Sequence, residues 1–271
     1  MQMNRYKASA THFAISAAVI SVFFAIVFYI WYPAPYFSVE GTENIIVILI
    51  AVDVVLGPLL TLIVFKPNKP SLKFDLSVIV LIQVSALLYG ANTIYSERPY
   101  FVAFAIDQFT IIQANQTQEM DLTRISPQID YQHSGPSYVY AERPSDPELR
   151  FKILREAAAG GADMDRHPEL YRDFKSHISK SFDYSLELDT LARQYASNKA
   201  VIDKFRARYP DTSSLAFYPL LGKSRNAVLV VNRANGDVID YIAINPWLGR
   251  KDNSPQNNTI PGLPGSPLTT K

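Results

Sequence analysis

Apolar residues crowd residues 12–96 of this chain, and mixed sequence follows. Three runs stand out: His12 to Tyr32, Asn44 to Phe65 and Leu76 to Tyr95. Each holds about 20 residues, which as a helix crosses about 30 Å of hydrocarbon. The pattern predicts three transmembrane helices. A signal peptide is the rival reading of the first run, but its apolar region would be about 7–15 residues and would end at a small-residue cleavage site. Here the run ends in Trp31-Tyr32-Pro33-Ala34-Pro35-Tyr36-Phe37. That reads as an interfacial aromatic belt followed by a proline stop.

The short flanks set the expected orientation. Arg5 and Lys7 precede the first run, and Lys66, Lys69 and Lys73 separate the second from the third. Glu40 and Glu43 lie between the first and second, with no Lys or Arg. Positive residues stay on the cytoplasmic side. The N-terminus and the Lys66–Asp75 loop are thus expected in the cytoplasm, and everything after Tyr95 outside, which in a bacterium is the periplasm. The expected division is a transmembrane unit over 1–97, a periplasmic domain over 98–249 and a disordered tail over 250–271. The tail is rich in Pro, Gly, Asn, Ser and Thr and lacks periodicity.

Asp53 is the ionisable residue deep in a span, near mid-bilayer by its place along the second run. A carboxyl at that depth is costly and should face other helices. By depth, Ser85 and Tyr89 on the third run are the expected partners. A structural interhelical hydrogen bond, a grip on a partner's helix and proton or ion transport are the readings open to Asp53. Small residues recur four apart: Ala10, Ala14 and Ala18, then Gly57 and Thr61, then Ala86 and Gly90. Such stripes let helices approach closely, whether within the unit or around a foreign helix. Gly57-Pro58 should kink the second helix, because proline removes a backbone bond and clashes with the preceding turn.

Beyond residue 98 the pattern turns α+β. Pro99–Ile106 and Phe109–Ala114 predict a hairpin around Asp107-Gln108. Residues 115–145 hold turn formers and few clear elements. Ser145 and Glu148 make a capping box ahead of Leu149, Ile153 and Ala157, and Gly160-Gly161 stops that helix. A second helix is expected from Pro168, with Leu170, Phe174 and Ile178 on one face. A third starts near Ser185, with Leu188, Leu191, Ala192 and Tyr195 in register, and restarts along Ile202, Phe205 and Tyr209. Leu215–Leu221 predicts a strand. Ala227–Val231 and Val238–Ile244 flank Asn235-Gly236, a dipeptide suited to hairpin turns. The expected fold is a small antiparallel sheet covered on one face by helices.

Composition removes several function classes. The chain has 271 residues, a formal net charge of +1 and no cysteine. Disulfides, thiolate metal sites and cysteine nucleophiles are excluded. There is no polybasic cluster, so nucleic acid is not an expected partner. Neither a phosphate-cradling glycine loop, a helical His-Glu-x-x-His nor a Gly-x-Ser-x-Gly elbow occurs. Asp163, Asp165 and His167 form the best metal-like cluster and read as solvated capping residues in a helix–helix link. No catalytic residue, metal or cofactor is expected, and the protein reads as non-enzymatic.

The membrane half resembles the type IV pilin accessory proteins of Gram-negative bacteria, the TfpX/TfpZ group. The resemblance rests on Trp31-Tyr32-Pro33-x-Pro35, on Asp53-Val-Val-Leu-Gly57-Pro58-Leu-Leu-Thr61-Leu-Ile-Val-Phe65-Lys66-Pro67, and on Lys69, Lys73-Phe74-Asp75-Leu76 and Glu97-Arg98-Pro99. Past Pro99 it is looser, carried by Phe217-Tyr218-Pro219-Leu220 and the final hairpin. It implies a small inner-membrane protein that helps a pilin to be assembled or displayed. The implied partners are the type IV major pilin, the lipid bilayer and other pilus assembly proteins. Asp53, Gly57, Pro58, Ser85 and Tyr89 are the candidate partner-binding residues. The alternative is a membrane-anchored sensory or ligand-binding module of another envelope system.

Overall fold

The computed structural model describes residues 4–131, 135–194 and 196–247. The expected tail and Tyr195 lie outside the described residues. Three helical stretches, Arg5–Trp31, Glu43–Val64 and Leu72–Ser96, are long and apolar enough to cross a membrane. The first begins seven residues before the apolar run because Asn4 caps it, accepting a hydrogen bond from the Lys7 N–H at 2.9 Å. It comprises α1 (Arg5–Ile26) and a π-helical turn over Val27–Trp31. A short helix, α2 (Tyr36–Glu40), leads to the second stretch.

That second stretch is α3 (Glu43–Ile50), a π-helical segment Ala51–Leu56 and α4 (Gly57–Val64). The Gly57 N–H donates to the Val52 carbonyl, five residues back. Widening the turn moves the backbone away from the Pro58 ring, which an ordinary turn would bring against the carbonyl four residues before it. The expected kink is therefore a π segment ahead of the proline. The third stretch is α5 (Leu72–Ser96).

The expected small antiparallel sheet is corrected to a seven-stranded mixed sheet. Its strands are β1 (Pro99–Ala105), β2 (Gln108–Gln113), β3 (Ser137–Ala141), β4 (Tyr171–Asp173), β5 (Leu215–Leu221), β6 (Ala227–Asn232) and β7 (Val238–Ile242). Their order is β4-β3-β1-β2-β5-β6-β7. β1 pairs β3 in parallel with Phe101 opposite Ser137, and β2 pairs β5 in parallel with Phe109 opposite Leu220. The other neighbours are antiparallel. β3 falls in the stretch read as turns. The helix expected from Pro168 makes one 3₁₀ turn, Pro168–Leu170, and is then interrupted by β4, because the free edge of β3 accepts Tyr171–Asp173 as a partner strand.

The described helices of this part are α6 (Pro147–Ala158), α7 (Phe174–His177), α8 (Leu188–Gln194) and α9 (Ala196–Arg208). The cap of α6 is Asp146 rather than Ser145: its carboxylate accepts from the Glu148 N–H at 3.0 Å. The final hairpin turns at Gly236, whose φ of 74° is left-handed.

Both sheet faces are covered, which corrects the expectation of helices on one face only. Phe101, Ala103, Ile112 and Val139 meet Ile125 and Ile129 of the connecting loop. Leu215, Phe217, Val228 and Val230 meet Leu188, Leu191, Ile202 and Phe205 of α8 and α9. The opposite face, with Val102, Phe104, Phe109, Tyr218 and Leu229, shares one cluster with Val27, Tyr32, Tyr36, Val39, Leu49 and Ile94 from the apolar helices. Strands buried on two sides read as continuous apolar runs, as Val228–Val231 does.

Phe109 is fully buried and packs edge-on against Phe104, Phe174, Tyr138 and Tyr218. Phe109→Ala is expected to cost about 3–5 kcal/mol of stability. Chemical denaturation of the purified protein in mild detergent measures it, and a loss under about 1 kcal/mol would contradict this packing.

Candidate functional site: a groove between two apolar helices, hinged to the sheet

The first and third apolar helices both pack on the second. At the end nearest the sheet they also meet each other. The Trp31 and Tyr95 rings are 5.0 Å apart, and the Tyr32 hydroxyl donates to the Ile94 carbonyl at 3.0 Å. Further from the sheet they leave a cavity of about 380 Å³, whose lining includes His12, Ser16, Ile20, Asp53, Gln83 and Leu87.

Two polar ties hold α1 against the floor of this groove. The Ser9 hydroxyl donates to the Pro58 carbonyl at 2.9 Å, and His12 Nδ1 lies 2.6 Å from Thr61 Oγ1. From the third helix, the Gln83 amide donates to the Asp53 main-chain carbonyl at 3.1 Å. Gly57 makes room for it, since a Cβ there would overlap the Gln83 amide. Asp53 is 5% exposed, and among the described residues neither of its carboxylate oxygens has a hydrogen-bond partner.

The structure thus brings Asp53, Gly57 and Pro58 together and leaves Ser85 and Tyr89 outside. Ser85 is exposed, and Tyr89 is 77% exposed. The buried face of α5 runs through Ile79, Gln83, Gly90 and Ile94. Ser85 follows Gln83 by two positions, about 200° around the helix. Depth alone therefore does not bring Ser85 or Tyr89 to Asp53, whereas helical phase brings Gln83. A polar side chain inside an apolar run was the available signal, for Gln83 as for His12. Of the small-residue stripes, Thr61 faces α1, Gly57 receives the Gln83 side chain of α5 and Gly90 receives the Leu49 side chain. Ala10, Ala14 and Ala18 face outward.

The groove is fixed to the sheet by the turn between β5 and β6. The Val39 carbonyl accepts the N–H groups of Ser224 at 2.8 Å and Arg225 at 3.1 Å. Gly222 lets the strands' turn come this close: a Cβ there would sit 2.7 Å from the Val39 carbonyl oxygen. Beside it, the buried Glu40 carboxyl accepts from the Gln113 amide at 2.6 Å and the Lys223 N–H at 3.2 Å. Lys223 pairs with Glu97 at 2.9 Å and Arg225 with Glu43 at 3.3 Å, joining this turn to the sheet-side ends of α5 and α3. Those pairs are partly exposed and add little by themselves. The Tyr36 and Tyr138 hydroxyls are 2.6 Å apart. Burial pushes both phenols up, so the pair stays neutral.

The metal-like cluster of the sequence reads as solvated capping residues only in part: Asp165 is desolvated, burial pushes its carboxyl up, and the Tyr171 hydroxyl donates to its main-chain carbonyl. Asp163 caps a short 3₁₀ turn, accepting from the Met164 N–H at 2.7 Å, and His167 lies 3.6 Å from Glu169. Among the described residues no group of three His, Asp or Glu side chains is placed to hold a metal.

A bundle of three membrane-length helices locked onto a mixed α+β sheet defines the class of protein. Comparison with known proteins then supplies the family. Over 177 residues the chain is 30% identical to the serogroup E1 fimbrial assembly protein of Dichelobacter nodosus, covering 64% of this chain and 68% of that protein. The serogroup I protein of the same organism is 29% identical over the same length and coverage. The protein of serogroups C1 and C2 is 37% identical over 108 residues, 39% of this chain and 82% of its own. The family described as Fimbrial assembly protein FimB matches residues 2–41. No solved structure matches. The chain belongs to the fimbrial assembly protein family.

Glu40 gives the hinge a measurable signature. Burial pushes its carboxyl above the usual range, against the hydrogen bonds from Gln113 and Lys223. A raised folded value means that the protonated form suits the fold better. Its contribution is full below the ordinary carboxylate value of about 4.3 and is lost as pH rises through the raised value. Glu40→Gln removes that loss, so the melting temperature of this variant should gain on the parent as pH rises above the ordinary carboxylate value of about 4.3. Glu40→Ala strands the Gln113 amide and the Lys223 N–H and should cost about 1–3 kcal/mol throughout. Melting in detergent across pH checks both, and a flat difference for Glu40→Gln would contradict the assignment.

Proposed function

We propose that this chain is an inner-membrane accessory protein of type IV pilus assembly that binds pilin and assists its passage into the fibre. Its relatives are named fimbrial assembly proteins, which supports the assembly role. The observation that carries the binding role is the groove between the first and third helices. A groove between two membrane-length helices, with a buried carboxyl in its lining, suits a membrane helix. In this reading the pilin is the partner: its apolar N-terminal helix lies in the groove while its globular head contacts the sheet domain. Two contacts on one rigid frame raise the effective concentration of each for the other.

The reading needs the sheet domain in the periplasm. Arg5, Lys7, Lys66, Lys69 and Lys73 lie at the ends of the apolar helices away from the sheet, which favours that orientation. No residue is assigned a catalytic role.

Three outcomes are expected. A phosphatase reporter active only in the periplasm, fused after Gly249, is active. A strain lacking the protein shows fewer surface pili and reduced twitching. Photoreactive residues at Val84, beside the groove, and on the β6–β7 hairpin capture pilin in living cells. Normal piliation of the deletion strain, with only other envelope proteins captured, would favour a sensory module over an assembly factor.

A further inference from the structure

We propose that Asp53 sets the register and selectivity of the helix that enters the groove: the occupant is a transmembrane helix carrying a hydrogen-bonding side chain at the depth of Asp53. The inference rests on the pilin-binding reading above and specifies what the groove recognises. Asp53 lines the cavity, is 5% exposed and leaves both carboxylate oxygens without a partner among the described residues. The neighbouring polar groups are already committed: His12 to Thr61, and the Gln83 amide to the Asp53 main chain. Asp53 is ten residues from the start of α3 at Glu43, about 15 Å along the helix and hence near mid-bilayer.

At that depth hydrocarbon supplies no hydrogen bonds, and an unsatisfied polar group is costly. A lipid tail could fill the apolar lining formed by Ile15, Val19 and Leu87. It would leave the carboxyl unsatisfied. A purely apolar helix would do the same. A helix with a hydroxyl, amide, carboxyl or cationic side chain facing Asp53 satisfies it, and only in one register. An apolar groove with one polar reader thus discriminates among membrane helices that hydrophobicity alone cannot separate.

The test is in-cell photo-cross-linking from Val84, with Asp53, Asp53→Asn and Asp53→Leu compared at equal membrane abundance. Asn keeps a hydrogen-bonding group in the same place, and Leu supplies none while filling the site. Pilin capture should persist with Asp53→Asn and fall about three- to fifteen-fold with Asp53→Leu, the range of interhelical hydrogen bonds in membranes. Where the captured helix carries a polar residue at the cross-linked depth, replacing it by Leu should produce a similar fall, and combining it with Asp53→Leu should add little. Equal pilin capture by Asp53 and Asp53→Leu overturns this inference and leaves pilin binding standing. No pilin capture by the parent protein, with lipid adducts only, overturns the pilin reading and this inference with it.

Discussion

The architecture depends on one clasp, the grip of the β5–β6 turn on the end of α2. Val39 offers a carbonyl that two successive N–H groups share, and Glu40 offers a buried carboxyl that accepts from a third N–H and from Gln113 of β2. Both ends of the clasp are desolvated, so neither can be released without stranding polar groups. The segment it holds is the connection between two apolar helices. Fixing that connection fixes the sheet-side ends of α1 and α3, and the Lys223–Glu97 pair brings in the end of α5. The groove and the sheet consequently belong to one frame.

The same clasp accounts for the unusual burial of the sheet. In a sheet hung from a membrane anchor by a linker, one face would be free to meet solvent. Here Val102, Phe104, Phe109 and Leu229 are wholly or almost wholly buried by the junction of helices. The second face is closed by α8, α9 and the loop carrying Ile125 and Ile129. Parallel pairing of β1 with β3 and of β2 with β5 fits this double coverage, since parallel strands occur almost wholly where both faces are covered.

Legibility in the sequence tracked how local each cause is. The three apolar helices, the β1–β2 hairpin and the β6–β7 hairpin depend on periodicity and turn residues within a few positions, and they were readable. β5 was readable because its aromatic and aliphatic run is bounded on both sides. β4 was not, because Tyr171–Asp173 is extended only through its pairing with β3, 30 residues away. β3 itself carries a readable alternation in Ser137-Tyr138-Val139-Tyr140-Ala141, hidden by the turn formers around it. In the candidate site, Asp53, Gly57 and Pro58 were visible as exceptions within an apolar run. Gln83 is equally an exception, but depth without helical phase points to Ser85 and Tyr89 instead. The clasp was invisible, because Glu40 and Lys223 are 183 positions apart and neither breaks a local rule.

The polar groups inside the apolar bundle sort into two kinds. Ser9, His12, Thr61 and Gln83 are each spent on a partner within the bundle, which holds α1 and α5 at the spacing that opens the groove. Gly57 and Pro58 serve the same end by widening one turn and clearing room for Gln83. Asp53 lies on that widened turn, and its carboxyl has no hydrogen-bond partner among the described residues. Packing alone would be served as well by Leu or Ala at this position, at no desolvation cost. A bundle in which these four side chains serve its own geometry, while one carboxyl on the wall of its cavity has no partner among the described residues, is the physical basis of the register proposal.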